Sequence, residues 1–145
     1  MENDLKNDLK NDSPFEIVDA SQDDLEDVQN FLKPFMDRKE LLQRTSIEMQ
    51  LLLKHAFLCR ANGELVGFAA LEIYSKKLGE IQCLAVSSSF RRKGIGGQLV
   101  RKCVARARAE KVKELMAISA SEDMFFSCGF DYSLPQQKRA FFIEP

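Results

Sequence analysis

The chain has 145 residues, of which 45% are hydrophobic and 30% charged. This is the make-up of one soluble globular domain with one core, and it is too short for two nucleotide-binding halves. Its 21 basic and 22 acidic side chains leave a formal charge of −1, which gives no overall pull toward nucleic acid, and no stretch approaches the ~20 apolar residues of a membrane helix.

Residues 3–12 repeat Asn-Asp-Leu-Lys on too little apolar surface to offset ordering entropy, so residues 1–13 are expected to be a disordered tail and 14–145 the folded domain. This polar N-terminus lacks the apolar centre of a secretory leader, and the expected location is cytoplasmic. Phe15, Ile17 and Ala20 suggest a short strand. Ser21 with Asp24 three residues on resembles a helix start, with Leu25, Val28, Leu32 and Phe35 on one face and Pro34 ending or kinking the helix. Thr45 and Glu48 form a capping-box pattern that opens a second helix containing Ile47, Met49, Leu52 and Leu53.

The middle of the chain turns to strands. Ala56–Arg60 and Leu65–Tyr74 are β-rich runs around Asn62-Gly63, the dipeptide best suited to the positive φ angles of a type I′ hairpin. Gly79–Val86 reads as the next strand, antiparallel to its predecessor because only a short turn separates them. From Gly94 to about Lys111 the period is helical, with Leu99, Val100, Cys103, Val104 and Ala107 in one stripe. Glu114–Ser119 is predicted as a strand, Ser121–Cys128 as a short helix with Gly129 as its C′ residue, and Phe130 and Ala140–Ile143 as strands closing the sheet. Residues 79–119 make one βαβ unit, whose crossover should be right-handed and whose two strands should be parallel.

The four cysteines, Cys59, Cys83, Cys103 and Cys128, are widely spaced and His55 is the single histidine. Neither a metal site nor a disulfide framework is expected from that spacing. Most chemistry is left to backbone amides, carboxylates and bound water.

The segment from Leu84 to Gly97 follows a strand and opens a helix. Successive amides in such a turn can converge on one point, and the helix N-terminus adds partial positive charge, which suits a phosphate or pyrophosphate. Gly94, Gly96 and Gly97 remove the Cβ atoms that would keep a ligand away, and Arg91, Arg92 and Lys93 add charge. A GxxxxGK[ST] loop is absent, and a GxGxxG loop would need glycine where Leu99 stands. Arg91-x-x-Gly94-x-Gly96 remains.

That loop, the Leu84-Ala85-Val86 strand end, the order of elements and Phe125-x-x-x-Gly129-Phe130 together resemble the GNAT superfamily of acetyl-CoA-dependent N-acyltransferases. The resemblance covers about residues 14–145 and is most specific from 80 to 130. The run from Ser133-Leu134-Pro135 to Lys138-Arg139 is similar to stand-alone N-acetylglutamate-synthase-like enzymes and arsenic-resistance-type N-acetyltransferases. It implies a single α+β domain with a mixed, mainly antiparallel sheet of about six to seven strands and helices on both faces.

It further implies that Arg92, Lys93, Gly94, Ile95, Gly96 and Gly97 hold the coenzyme pyrophosphate beside Arg91, and that Leu84, Ala85 and Val86 pair with the pantetheine arm. The acetyl oxygen is then expected near the Val86 amide, where a fixed N–H would stabilise developing negative charge. Glu80 stands where some members carry a carboxylate base. Phe125 stands where many carry a tyrosine that protonates the departing thiolate, and phenylalanine has no proton to give; Ser121, Ser127 and Tyr132 are the alternatives.

The implied reaction is direct acetyl transfer from acetyl-CoA to a primary amine, with no metal. The acceptor is expected to be a small amino-acid-like molecule, with Lys138 and Arg139 as candidate carboxylate ligands beside Arg38, Lys39, Arg44, Lys76 and Lys77. A non-catalytic acyl-CoA sensor and an enzyme acting on a protein amino group stay open. A nucleic-acid module built on the 99–111 helix is disfavoured by the balanced charge. The resemblance allows a homodimer through the C-terminal strands.

Overall fold

The computed structural model describes residues 14–119, 121–132, 141 and 143–145. β1 (Glu16–Asp19), β2 (Ala56–Ala61), β3 (Glu64–Ile73), β4 (Leu78–Val86) and β5 (Glu114–Met116) form one sheet in the order β1-β2-β3-β4-β5. The first four are antiparallel neighbours and β5 runs parallel to β4. Asn62 and Gly63 at the β2–β3 turn have φ of 51° and 79°, the paired positive values a type I′ turn requires.

Helices α1 (Leu25–Asp37) and α2 (Ser46–Leu52) cover one face, and α3 (Ile95–Ala109) with α4 (Glu122–Ser127) covers the other. Each begins as its sequence directs. The Ser21 amide donates to Asp24 Oδ2 at 2.8 Å in a 3₁₀ turn that leads into α1. Thr45 Oγ1 accepts from the Glu48 amide at 3.2 Å, satisfying one of the free donors at the start of α2. Val28, Leu32, Phe35 and Met36 from α1 pack with Met49 and Leu52 from α2 onto Leu58, Phe68 and Ala70. On the opposite face Ile95, Leu99, Val100, Cys103 and Ala107 pack onto Phe57, Cys59, Ala69 and Leu71. The sheet thus separates two apolar layers, in each of which a buried large side chain contributes about 1.5–3 kcal/mol.

Three expectations are corrected. Pro34 does not end α1: the helix continues to Asp37, because burying Phe35 and Met36 offsets the one amide that proline lacks. β5 stops at Met116 rather than Ser119, since its pairing with β4 ends at Glu80–Met116 and the two strands then part. The sheet has five strands among the described residues. Phe130 is no strand residue: its amide closes the end of α4 on the Phe125 carbonyl at 3.0 Å, and its ring meets the Phe125 ring edge-on at 5.2 Å. The other expected closing strand, at 140–143, falls largely outside the described residues, as do the 1–13 tail and residues 133–140. Among the described residues no helix is long and apolar enough to cross a membrane.

Candidate active site

Where β4 and β5 part, a cleft of ≈ 1080 Å³ opens between the two helical layers. One of its ends is built from backbone. Phe68 pairs with Ala85 and Ala70 with Gln82, so Cys83 and Leu84 together face Ala69, a bulge whose first residue, Cys83, has φ of 57°. Beyond it the Ser87 amide donates to the Val66 carbonyl at 2.8 Å. Antiparallel alternation therefore turns the Val86 amide to the opposite edge, toward the gap that β5 leaves.

The chain then makes a short 3₁₀ turn at Ser88–Phe90 and passes through two left-handed residues, Arg92 at φ 62° and Gly94 at φ 79°. The first α3 hydrogen bond runs from the Gln98 amide to the Gly94 carbonyl at 3.1 Å, which leaves the amides of Ile95, Gly96 and Gly97 without helical acceptors. Leu84, Ala85, Val86, Arg91, Arg92, Gly94, Ile95, Gly96 and Gly97 line the cleft. A Cβ on Gly96 would sit 3.1 Å from Met124 Sδ, so a side chain there must push into the mouth of the loop or displace the methionine. Lys93 instead rests its ammonium 5.4 Å from the centroid of the Phe90 ring.

The other end is built from side chains of three separated segments. Arg44, in the loop between α1 and α2, reaches the cleft and donates to Gln82 Oε1 at 2.6 Å. Its second terminal nitrogen lies 3.7 Å from Glu48 Oε2, and its Nε is buried without a partner, the one such side-chain nitrogen or oxygen among the described residues. Glu80 lines the same end and accepts a hydrogen bond from the Tyr74 hydroxyl. Phe35, Leu41, Leu42 and Cys83 supply apolar wall. Burial pushes the Cys83 thiol pKa up, against a smaller downward pull from Arg44.

The structure thus gathers the predicted coenzyme loop, the Val86 strand end and Glu80 along one cleft. It does not gather most of the predicted acceptor cations. Arg38 pairs with Glu40 at 3.0 Å on the surface, Lys76 caps the Glu110 carbonyl at 3.2 Å, and Lys39 and Lys77 do not line the cleft. Lys138 and Arg139 lie outside the described residues. Phe125 is 7% exposed and packs in the α3 layer. Of the hydroxyls named as its substitutes, Ser121 lines the cleft, Ser127 donates to the Met124 carbonyl at 2.6 Å, and Tyr132 is exposed. Sequence reasoning missed Glu72, Tyr74 and Gln82. The signal was two-residue spacing on both arms of one hairpin, which brings 72 and 74 beside 80 and 82 once the register is known.

Residues 17–130 match the acetyltransferase (GNAT) family. An N-acetyltransferase of Chlorobaculum tepidum is 35% identical over 78 residues, covering 54% of this chain and 50% of that protein. The amino-acid acetyltransferase of Shewanella oneidensis is 26% identical over 126 residues, covering 83% of this chain and 28% of that protein. This chain therefore spans half or less of the length of these relatives. Among solved structures, N-acetylglutamate synthase from Neisseria gonorrhoeae, complexed with coenzyme A and N-acetyl-glutamate, superposes with a TM-score of 0.69 at 26% identity, covering 79% of this chain and 27% of that one. An aminoglycoside acetyltransferase from an uncultured soil metagenomic sample shares the fold, with a TM-score of 0.65 at 21% identity over 92% of this chain and 98% of that one.

Proposed function

The chain belongs to the acetyltransferase (GNAT) family, and on that premise we propose that it transfers an acetyl group from acetyl-CoA directly to the primary amine of a small amino-acid-like acceptor. One observation carries the reading: a single cleft joins the free amides of the α3 N-terminus, the outward-turned Val86 amide, the Glu80 carboxylate and the Arg44 guanidinium, in groups of the kinds such a transfer needs.

The residues present suit the coenzyme. Left-handed Arg92 and Gly94 aim successive amides outward, Gly96 leaves them uncovered, and Arg91 and Arg92 bring positive charge to the same wall. Acetyl-CoA would supply an acyl group already activated as a thioester, which leaves the protein only orientation, charge stabilisation and one proton transfer. Gly94 to Gly97 would hold the pyrophosphate, and β4 from Leu84 to Val86 would offer its free edge to the pantetheine arm. The Val86 amide would donate to the acyl oxygen as charge builds there. Glu80 would take the surplus proton of the attacking nitrogen, directly or through water. No residue is assigned to protonate the departing sulfur, since Phe125 has no proton and a thiol of ordinary pKa ~8.5 is a tolerable leaving group near neutrality.

Arg44 is the acceptor-side cation of this reading. Its guanidinium lines the cleft and is largely withdrawn from water, where a carboxylate on the acceptor would be a well-matched charged partner. The amino-acid acetyltransferases among the relatives and the bound N-acetyl-glutamate of the Neisseria gonorrhoeae structure support the same acceptor class.

The test is thiol release from acetyl-CoA against a panel of free amino acids, their amides, short peptides and aminoglycosides. Turnover of free amino acids above their amides is expected. Preference for peptides would make the acceptor a protein amino group. Phe125 favours one second reading, a non-catalytic acyl-CoA sensor, and tight coenzyme binding with no thiol release on any amine would establish it.

A further inference from the structure

The cross-strand register puts Glu72 directly opposite Glu80. Two like charges facing each other across antiparallel strands destabilise the pair unless something else occupies the space between them. Here that is the Tyr74 hydroxyl, 2.5 Å from Glu80 Oε2 and 3.2 Å from Glu72 Oε2. A phenol has one proton. The 2.5 Å contact lies in the range of a charge-assisted O–H···O⁻ bond, so the proton is directed to Glu80.

The neighbouring amide fixes the direction of the rest. Arg44 is a donor only, so the Gln82 atom it meets at 2.6 Å must be the acceptor Oε1, and Nε2 must face the other way. That nitrogen donates to Glu72 Oε2 at 3.0 Å and to the Tyr74 oxygen at 3.3 Å. Its two hydrogens thus hold Glu72 and polarise the phenol toward Glu80. The donors run one way, from Arg44 through Gln82 and Tyr74 to Glu80. Desolvation and the adjacent carboxylates, Glu80 before Glu72, push the Tyr74 phenol pKa well up, so the proton stays on the tyrosine across the working pH range. Glu80 Oε1 takes no hydrogen bond from the described residues.

We propose that Tyr74 is a positioning residue for the base: it pins Oε2 of Glu80 so that Oε1 is presented to the acceptor amine, and Gln82 couples that orientation to the guanidinium that receives the acceptor's carboxylate. The proposal rests on Glu80 acting as the base. Carboxylate capture at Arg44 and proton removal at Glu80 become parts of one hydrogen-bonded unit, so an acceptor without a carboxylate loses more than binding energy.

The test is a kinetic double-mutant cycle with Tyr74→Phe, Glu80→Gln and the pair, on the full chain, with acetyl-CoA and a pooled mixture of the standard amino acids. Phenylalanine keeps the ring and removes only the hydroxyl. Tyr74→Phe is expected to lower kcat about tenfold with the acetyl-CoA KM and the melting temperature unchanged, and Glu80→Gln to lower it by ~10²–10³. The double variant should match Glu80→Gln alone, because a hydroxyl that acts through Glu80 has nothing left to act on. If Tyr74→Phe has full activity, or its loss multiplies with that of Glu80→Gln, Tyr74 has no positioning role while the base stands. Full activity in Glu80→Gln, or no thiol release from the unsubstituted protein, overturns the base and the proposal together.

Discussion

The two ends of the cleft are made of different materials. At the end proposed for the coenzyme the exposed polar groups are backbone amides, fixed by the β4 bulge, two left-handed residues and the first turn of α3. At the end proposed for the acceptor they are the side chains of Arg44, Tyr74, Glu80 and Gln82, drawn from the α1–α2 loop, the β3–β4 turn and β4 and held by one another. A backbone site tolerates changes of side chain but not of conformation or access. A side-chain site does the opposite: one substitution removes a partner and leaves the scaffold standing. The first suits a donor that stays the same, and the second an acceptor that can differ between relatives.

Four substitutions or treatments test that contrast. The largest effect is expected from Gly96→Leu, which closes the loop mouth against Met124. Coenzyme A affinity by calorimetry should fall by more than about a hundredfold while the circular dichroism spectrum is kept, because the atom displaced is the flexible end of a methionine. Retained affinity would mean that the amides of α3 do not hold the pyrophosphate.

Arg44→Met comes next. It should raise the KM of a free amino acid by ~10–100-fold, the range for a lost charge-assisted hydrogen bond, and erase the advantage of the acid over its amide. Coenzyme affinity should not move; a parallel loss would show that the two ends are not separable. Arg92→Ala is expected to weaken coenzyme A only a few-fold and to flatten the salt dependence, since an exposed cation adds screened charge rather than geometry. The smallest effect concerns Cys83, which lines the acceptor end with its thiol pKa raised by burial. The thiolate is the reactive form, so iodoacetamide labelling followed by mass spectrometry should stay slower than for free cysteine at neutral pH and climb only in more alkaline solution.

The same contrast explains what the sequence made legible. The turn from Arg91 to Gly97 could be placed between strand and helix because its determinants are contiguous: glycines, a strand before them and an amphipathic helix after. The hairpin at Asn62-Gly63 and the Thr45 cap were legible for the same reason. Tyr74 and Gln82 were not, since their meaning depends on the β3–β4 register, which no local pattern states. Arg44 could not be told from Arg38 or Lys39 by residue type, and only the path of the α1–α2 loop separates the cation in the cleft from those on the surface. The extent of α1 past Pro34 and the early end of β5 were likewise decided by packing partners distant in sequence.

The bulge at Cys83 works as a phase shift in a period-two signal. Before it, Gln82 faces the α1–α2 layer and Ile81 the α3 layer; after it, Cys83 and Ala85 face α1–α2 while Leu84 and Val86 face α3. One strand therefore carries two reading frames. Deleting Cys83 would merge the two frames into one unbroken alternation, with Leu84, Ala85 and Val86 on their present faces but without the left-handed residue that bends the strand, whereas substitutions at 80 or 82 leave the bulge in place. The slip divides one continuous strand into two segments whose faces are set separately.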